Sequence, residues 1–197
     1  MNKFMRLFLV TLAFSAFSGG LLAVLNENLE GRISYQELKF VRGPAILEVM
    51  QGSTNDPLVD RFKLKDGDTE RSFYVGVFGG KPNVVAFETY GKGFDGDIGV
   101  IVGFNVQDDQ IAGISVTTLT ETPGVGARVK TDPSFVAQFK GLSGKEPTKT
   151  RTDGGQIDAI SGASFSSRGV ISAVNTAEDI YKRLKPEILD KLKSLKT

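Results

Sequence analysis

The sequence predicts an α+β protein: an apolar N-terminal helix, then one soluble domain with a mainly antiparallel sheet and packed helices. Three observations predict it. Leu7–Leu25 runs nineteen residues without a charge. Between Asp60 and Leu119, short runs rich in Val, Ile and Phe alternate with turns containing Gly and Asp. After Asp132, apolar residues recur at helical spacing.

The first run, as a helix, covers about 28 Å, close to the ~30 Å hydrocarbon thickness of a bilayer. Lys3 and Arg6 precede it, and Glu27 and Glu30 follow. Positive charge is retained on the cytoplasmic side, so the N-terminus is expected inside and residues after about Asn26 outside. A cleaved signal peptide is the rival reading, and Ala16-Phe17-Ser18 has the small-x-small form. Cleavage there leaves the apolar Leu21–Leu25 on the mature chain, and the run exceeds the usual signal core of ~7–15 residues. A single-pass anchor in the lipid bilayer is therefore expected.

Gly31–Met50 reads as helical or mixed. Arg61–Lys65 and Arg71–Phe78 read as strands joined across Asp66-Gly67-Asp68, where Gly supplies the positive φ of a tight turn. Gly79-Gly80-Lys81-Pro82 is a second turn, leading into a strand over Val84–Tyr90. Ile98–Val106 and Ile111–Leu119 form another pair around Gln107–Gln110. Asp132 as N-cap and Pro133 at the first helical position open a helix carrying Phe135, Val136 and Phe139. Lys145–Gly155 is polar and turn-rich, a loop. Val170, Val174, Ala177, Tyr181 and Leu184 mark a helix over Ser164–Leu184. Pro186 is expected to end it, leaving Ile188–Leu195 as a short lysine-rich tail helix.

Composition narrows the chemistry. The net charge of +1 gives no basic field and argues against nucleic acid as the main partner. With no cysteine there is no disulfide, thiolate metal site or iron–sulfur cluster. With no histidine there is no imidazole base and no histidine-ligated haem. Redox chemistry in this chain requires a cofactor held by other means.

Two segments stand out. Asp158-Ala-Ile-Ser161-Gly162-Ala163-Ser164 puts small residues before a helix start, where unpaired N–H groups and partial positive charge suit a phosphate. Ser166, Ser167 and Arg168 add donors in the same turn. Ser at a helix start is, taken alone, an ordinary N-cap. A hydrolase nucleophile at Ser164 is excluded, since the final Gly of G-x-S-x-G is replaced by Ser166 and no histidine exists. Gly141-Leu-Ser-Gly144-Lys145-Glu146 fails as a P-loop because its glycines are too close and Glu146 replaces the metal-binding hydroxyl. The second segment, Thr120-Glu121-Thr122-Pro123-Gly124-Val125-Gly126, follows a strand. Its Pro-Gly fixes a tight turn, and Gly126 lets the chain pass close to something flat or bulky.

Five pieces in order carry a family likeness: the N-terminal span, Gly91-Lys-Gly-Phe-Asp-Gly-Asp-Ile98, Glu121-Thr-Pro-Gly-Val-Gly126, Phe135-Val-Ala-Gln-Phe-Lys-Gly141, and Asp158–Ser164. The chain resembles the FMN-binding domain shared by the G subunit of the Rnf complex and the C subunit of the Na⁺-translocating NADH:quinone oxidoreductase. The modest length favours the Rnf G subunit. The resemblance implies FMN joined through a phosphoester to Ser164, installed by a separate flavin transferase that uses FAD. It makes Asp158, Ser161, Gly162 and Ala163 the segment that the transferase recognises, and lays Glu121, Thr122, Pro123, Gly124 and Gly126 against the flavin. Relatives usually have threonine at the acceptor position, where Ser164 offers the same hydroxyl without the methyl, and often histidine where this chain has Leu119.

The implied function is electron transfer within an ion-translocating ferredoxin:NAD⁺ oxidoreductase of the bacterial cytoplasmic membrane. Other membrane and iron–sulfur subunits of the complex are the implied partners, with no metal and no catalytic acid or base in this chain. The implied divisions are 1–26 (cytoplasmic N-terminus and span), 27–70 (connecting region), 71–185 (FMN-binding domain, outside the membrane) and 186–197 (basic tail). A C-type subunit of the quinone reductase and a non-redox membrane-anchored binding module are the alternatives.

Overall fold

The computed structural model describes residues 2–143 and 147–195. Gly144, then Lys145 and Glu146 with which the expected loop begins, and Lys196 and Thr197 of the basic tail lie outside the described residues. The chain divides into two compact units, Met1–Phe40 and Val41–Thr197. The first is a helix, α1 (Lys3–Glu37). Its stretch Lys3–Leu29 is long and apolar enough to cross a membrane, and none of that stretch is buried within the protein. Phe8, Leu12, Phe14, Phe17 and Leu22 are all exposed. A π-helical turn, Leu38–Arg42, and a short helix α2 (Gly43–Val49) with Pro44 in its first turn follow.

The second unit is built on five strands: β1 (Arg61–Asp66), β2 (Thr69–Phe78), β3 (Lys81–Lys92), β4 (Asp97–Asn105) and β5 (Gln110–Val116). They pair antiparallel in chain order, β1-β2-β3-β4-β5. The α+β expectation therefore holds. The β2–β3 turn places Gly79 and Gly80 at φ 61° and 73°, the pair of positive values a two-residue hairpin needs. Strand β3 is longer than its apolar run, and β5 stops short of Leu119. Backbone bonds between Gly99 and Thr117 and Thr118 nevertheless continue the ladder past its end. Since β1 is hydrogen-bonded along β2, residues 61–66 are part of the sheet.

Short helices α3 (Arg128–Thr131) and α4 (Pro133–Ala137) follow, the latter capped as expected by Asp132, which accepts from the Ser134 N–H at 3.0 Å. The long helix α5 (Ser164–Ser194) covers one sheet face. Phe73, Phe87 and Phe104 lie fully buried beneath Val170, Val174, Ala177 and Tyr181, and Tyr181 stacks on Phe104 at 4.5 Å. Ala45, Ile46 and Met50 are buried around α2, where a Cβ at Gly103 would meet the Val49 side chain at 2.5 Å.

One expectation is overturned. Pro186 does not end the helix, because α5 continues through it to Ser194. An internal proline costs ~3 kcal/mol. Beyond it Ile188 and Leu192 are buried in the core, a gain of about 1.5–3 kcal/mol each that holds the helix together.

Candidate functional site

Ser164 is the first residue of α5, after Ala163 as N-cap. Two local features aim the chain there. Gly162 adopts φ 81°, a left-handed conformation natural to glycine, and Ala163 N–H closes a turn on the Ile160 carbonyl at 2.9 Å. The buried Ser167 hydroxyl accepts from Ile160 N–H at 3.0 Å and donates to the Ala163 carbonyl at 2.9 Å, fastening that turn to the helix. Ser164 itself is exposed. Helical geometry leaves the amides of Ser164, Phe165 and Ser166 without intrahelical acceptors, and the first turn contains no acidic residue. A 31-residue helix thus presents its positive end beside an exposed hydroxyl.

The donors expected from the same turn are spent elsewhere. Besides the engaged Ser167, the buried Ser166 hydroxyl donates to Glu121 Oε2 at 2.7 Å, and Arg168 forks onto Asp153 at 3.1 Å. Thr150 also donates to Asp153, and the two partners hold the Asp153 carboxyl below the usual range, Arg168 foremost.

Glu121 connects the two sequence segments. It is 6% exposed, and its Oε1 accepts from the amides of Phe94 at 2.7 Å and Asp95 at 3.2 Å. Three separate stretches meet on this carboxylate: the β3–β4 loop, the turn after β5, and the first turn of α5. In the turn, the Thr122 carbonyl accepts from Val125 and Ala127, Gly124 adopts φ 75°, and Pro123 is exposed. Gly126 packs against Glu121 and Ser166: a Cβ there would fall 2.6 Å from Glu121 Oε2 and 2.8 Å from Ser166 Oγ.

Asp158 faces elsewhere. Arg151 grips both its oxygens, at 2.6 and 2.9 Å, and holds its carboxyl below the usual range. Its backbone is paired with the Gln138 side chain at both N–H and carbonyl. Asp158 therefore anchors the loop ahead of exposed Ser161 and Gly162, and does so through an exposed ion pair.

Sequence reasoning missed the apolar rim. Phe94 (72% exposed) and Phe165 (64%) lie with ring centroids 6.1 Å apart, and Val125 is 46% exposed. All three project from the segments gathered on Glu121. The available signal was phase: Ser166, Ser167 and Val170 turn into the core, which leaves Phe165 outside. Exposed aromatics bordering an exposed hydroxyl and free helix amides suit a ligand with one flat apolar part and one anionic part.

Comparison with known proteins gives a consistent picture. The FMN-binding domain family model matches residues 93–179, a range that includes Phe94, Glu121 and Ser164. The G subunit of the ion-translocating oxidoreductase complex of Cereibacter sphaeroides is 30% identical over 184 residues, covering 89% of this chain and 83% of that protein. The G subunit of the Methanosarcina acetivorans complex is 30% identical over 177 residues, covering 88% and 92%. The crystal structure of Shewanella oneidensis NqrC superposes with a TM-score of 0.51 at 24% identity, over 69% of this chain and 73% of that one, a likeness of fold.

Proposed function

Because the chain belongs to the family of G subunits of ion-translocating oxidoreductase complexes, we propose that it is an electron-transfer subunit of such a complex, carrying FMN on Ser164. The observation that carries this reading is the exposed Ser164 hydroxyl at the positive end of α5, bordered by Phe94 and Phe165. The residues fit the cofactor. The hydroxyl and the amides of residues 164–166 suit its phosphate, and Phe94, Val125 and Phe165 offer an apolar rim for its ring system.

Attachment balances as a transfer from FAD by a separate flavin transferase. The Ser164 Oγ–phosphorus bond forms, the pyrophosphate bond of FAD breaks, AMP leaves and the hydroxyl proton is released. No electrons change hands. Bound FMN supplies reversible one- and two-electron transfer. This chain's residues hold it, shield one side from water and fix its place relative to partner subunits. Asp158, Ser161, Gly162 and Ala163 present the acceptor to the transferase. Thr122, Pro123, Gly124 and Gly126 shape the neighbouring turn. The partners are the other membrane and iron–sulfur subunits of a ferredoxin:NAD⁺ oxidoreductase. Helix α1 anchors the protein, with Lys3 and Arg6 on the cytoplasmic side and the flavin outside.

Co-expression with the transferase tests the reading. The wild-type chain is expected to gain the mass of FMN less one water and to fluoresce in a denaturing gel. Ser164→Ala loses both and Ser164→Thr keeps them. Covalent flavin on Ser164→Ala overturns the assignment.

A further inference from the structure

Resting on the reading of Ser164 as the flavin acceptor, we infer that Glu121 is a positioning residue. Its buried carboxylate ties together the three segments that border the flavin and does not itself contact the cofactor. Both oxygens are already engaged, Oε1 by the Phe94 and Asp95 amides and Oε2 by the Ser166 hydroxyl. Each donor belongs to a segment that carries one side of the site. Phe94 is in the β3–β4 loop, Val125 in Glu121's own turn, and Ser164 and Phe165 in the first turn of α5. Among the described residues no other side-chain hydrogen bond joins those segments, and the Phe94–Phe165 ring contact is the one further side-chain link between two of them.

Two glycines make room for it. A Cβ at Gly93 would fall 2.1 Å from Glu121 Oε1, and one at Gly126 would fall 2.6 Å from Oε2. The bulky object that Gly126 accommodates is therefore the carboxylate of its own turn. Hydrogen bonds to a charged acceptor contribute more than neutral ones, and a buried donor that loses its partner bears the full desolvation cost. One side chain thereby sets the separation of Phe94 from Phe165 and their place around Ser164.

The full chain, with and without transferase co-expression, provides the test. In flavin-free protein, Glu121→Ala is expected to speed hydrogen exchange at the Phe94 and Asp95 amides about tenfold or more, the equivalent of losing one charge-assisted bond. In flavinylated protein the same change lowers the fluorescence anisotropy of the tethered flavin. Glu121→Gln restores both, since its amide oxygen still accepts from Phe94 and Asp95 and its NH₂ donates to Ser166. Ser166→Ala cuts only the α5 limb: anisotropy falls while Phe94 and Asp95 stay protected. That variant carries the test if Glu121→Ala does not fold. Loss of covalent flavin in Glu121→Ala, recovered in Glu121→Gln, supports the same role at the attachment step. Wild-type anisotropy in both Glu121→Ala and Ser166→Ala overturns the inference. Absence of covalent flavin from the wild-type chain sinks the Ser164 reading instead, and the exchange data still report on Glu121.

Discussion

Glu121, bonded to the first turn of α5, and Glu178, carried by α5 itself, are both buried carboxylates, and their surroundings differ. Glu121 receives three hydrogen bonds, whereas Glu178, 1% exposed, receives a single long one from Thr148 at 3.3 Å. Burial pushes the Glu178 carboxyl up to about 7, against the pull of Lys182 one turn away and of Thr148. Its folded value lies above the unfolded one, so the folded state holds the proton more tightly. Glu178 then costs nothing below about pH 4.5, and stability falls as pH rises toward 7, by at most about 3 kcal/mol. Glu178→Gln is expected to raise the midpoint of urea unfolding at pH 8 and leave it nearly unchanged at pH 4.5. Equal effects at the two pH values would contradict the burial argument. The helix start at Ser164, by contrast, was legible from sequence because its signal is local, whereas its role as flavin acceptor was implied only by the family resemblance. The bonds of Glu121 span 26 to 45 residues of chain and leave no local trace.

The contact between α5 and β3 is closer than side chains allow. A Cβ at Gly91 would fall 2.0 Å from the Gly169 carbonyl and 2.6 Å from the Ala173 amide, and one at Gly169 would fall 2.9 Å from the Lys92 carbonyl. These obstacles are backbone atoms that cannot rotate away. Gly91→Ala is expected to destabilise the domain by about 3 kcal/mol or more and to loosen the Ser164 turn with it, measurable by thermal unfolding. Gly67→Ala, where a Cβ meets nothing, is limited to the strain of its positive φ. At this scale the strand runs and turns were legible from period and glycine position. The passage of α5 through Pro186 was not, because local propensity opposes it and only tertiary burial of Ile188 and Leu192 explains it.

At the scale of the whole molecule, the buried core lies within Val41–Thr197, and the apolar side chains of Lys3–Leu29 are exposed. Leu12→Arg with Ala16→Arg adds about 5–7 kcal/mol to inserting α1 in a bilayer. The pair is expected to move the protein from the carbonate-resistant membrane fraction to the soluble one. The absence of native cysteine makes topology directly readable. Val59→Cys, at a position 73% exposed, is expected to react with an impermeant maleimide at the outer face of the cytoplasmic membrane. Protection until the membrane is permeabilised would reverse the orientation.

The strand order also sets a sequence of events in time. Each strand of β1-β2-β3-β4-β5 pairs with the one synthesised just before it, so the sheet assembles from short-range contacts. Its cover, α5, comes last. A nascent chain that ends before Ser164 has the whole sheet with Phe73, Phe87 and Phe104 uncovered. The Ser164 hydroxyl takes its final position only when α5 has docked on the sheet, so on the proposed reading of Ser164 as the flavin acceptor its modification follows folding of the domain and is not co-translational.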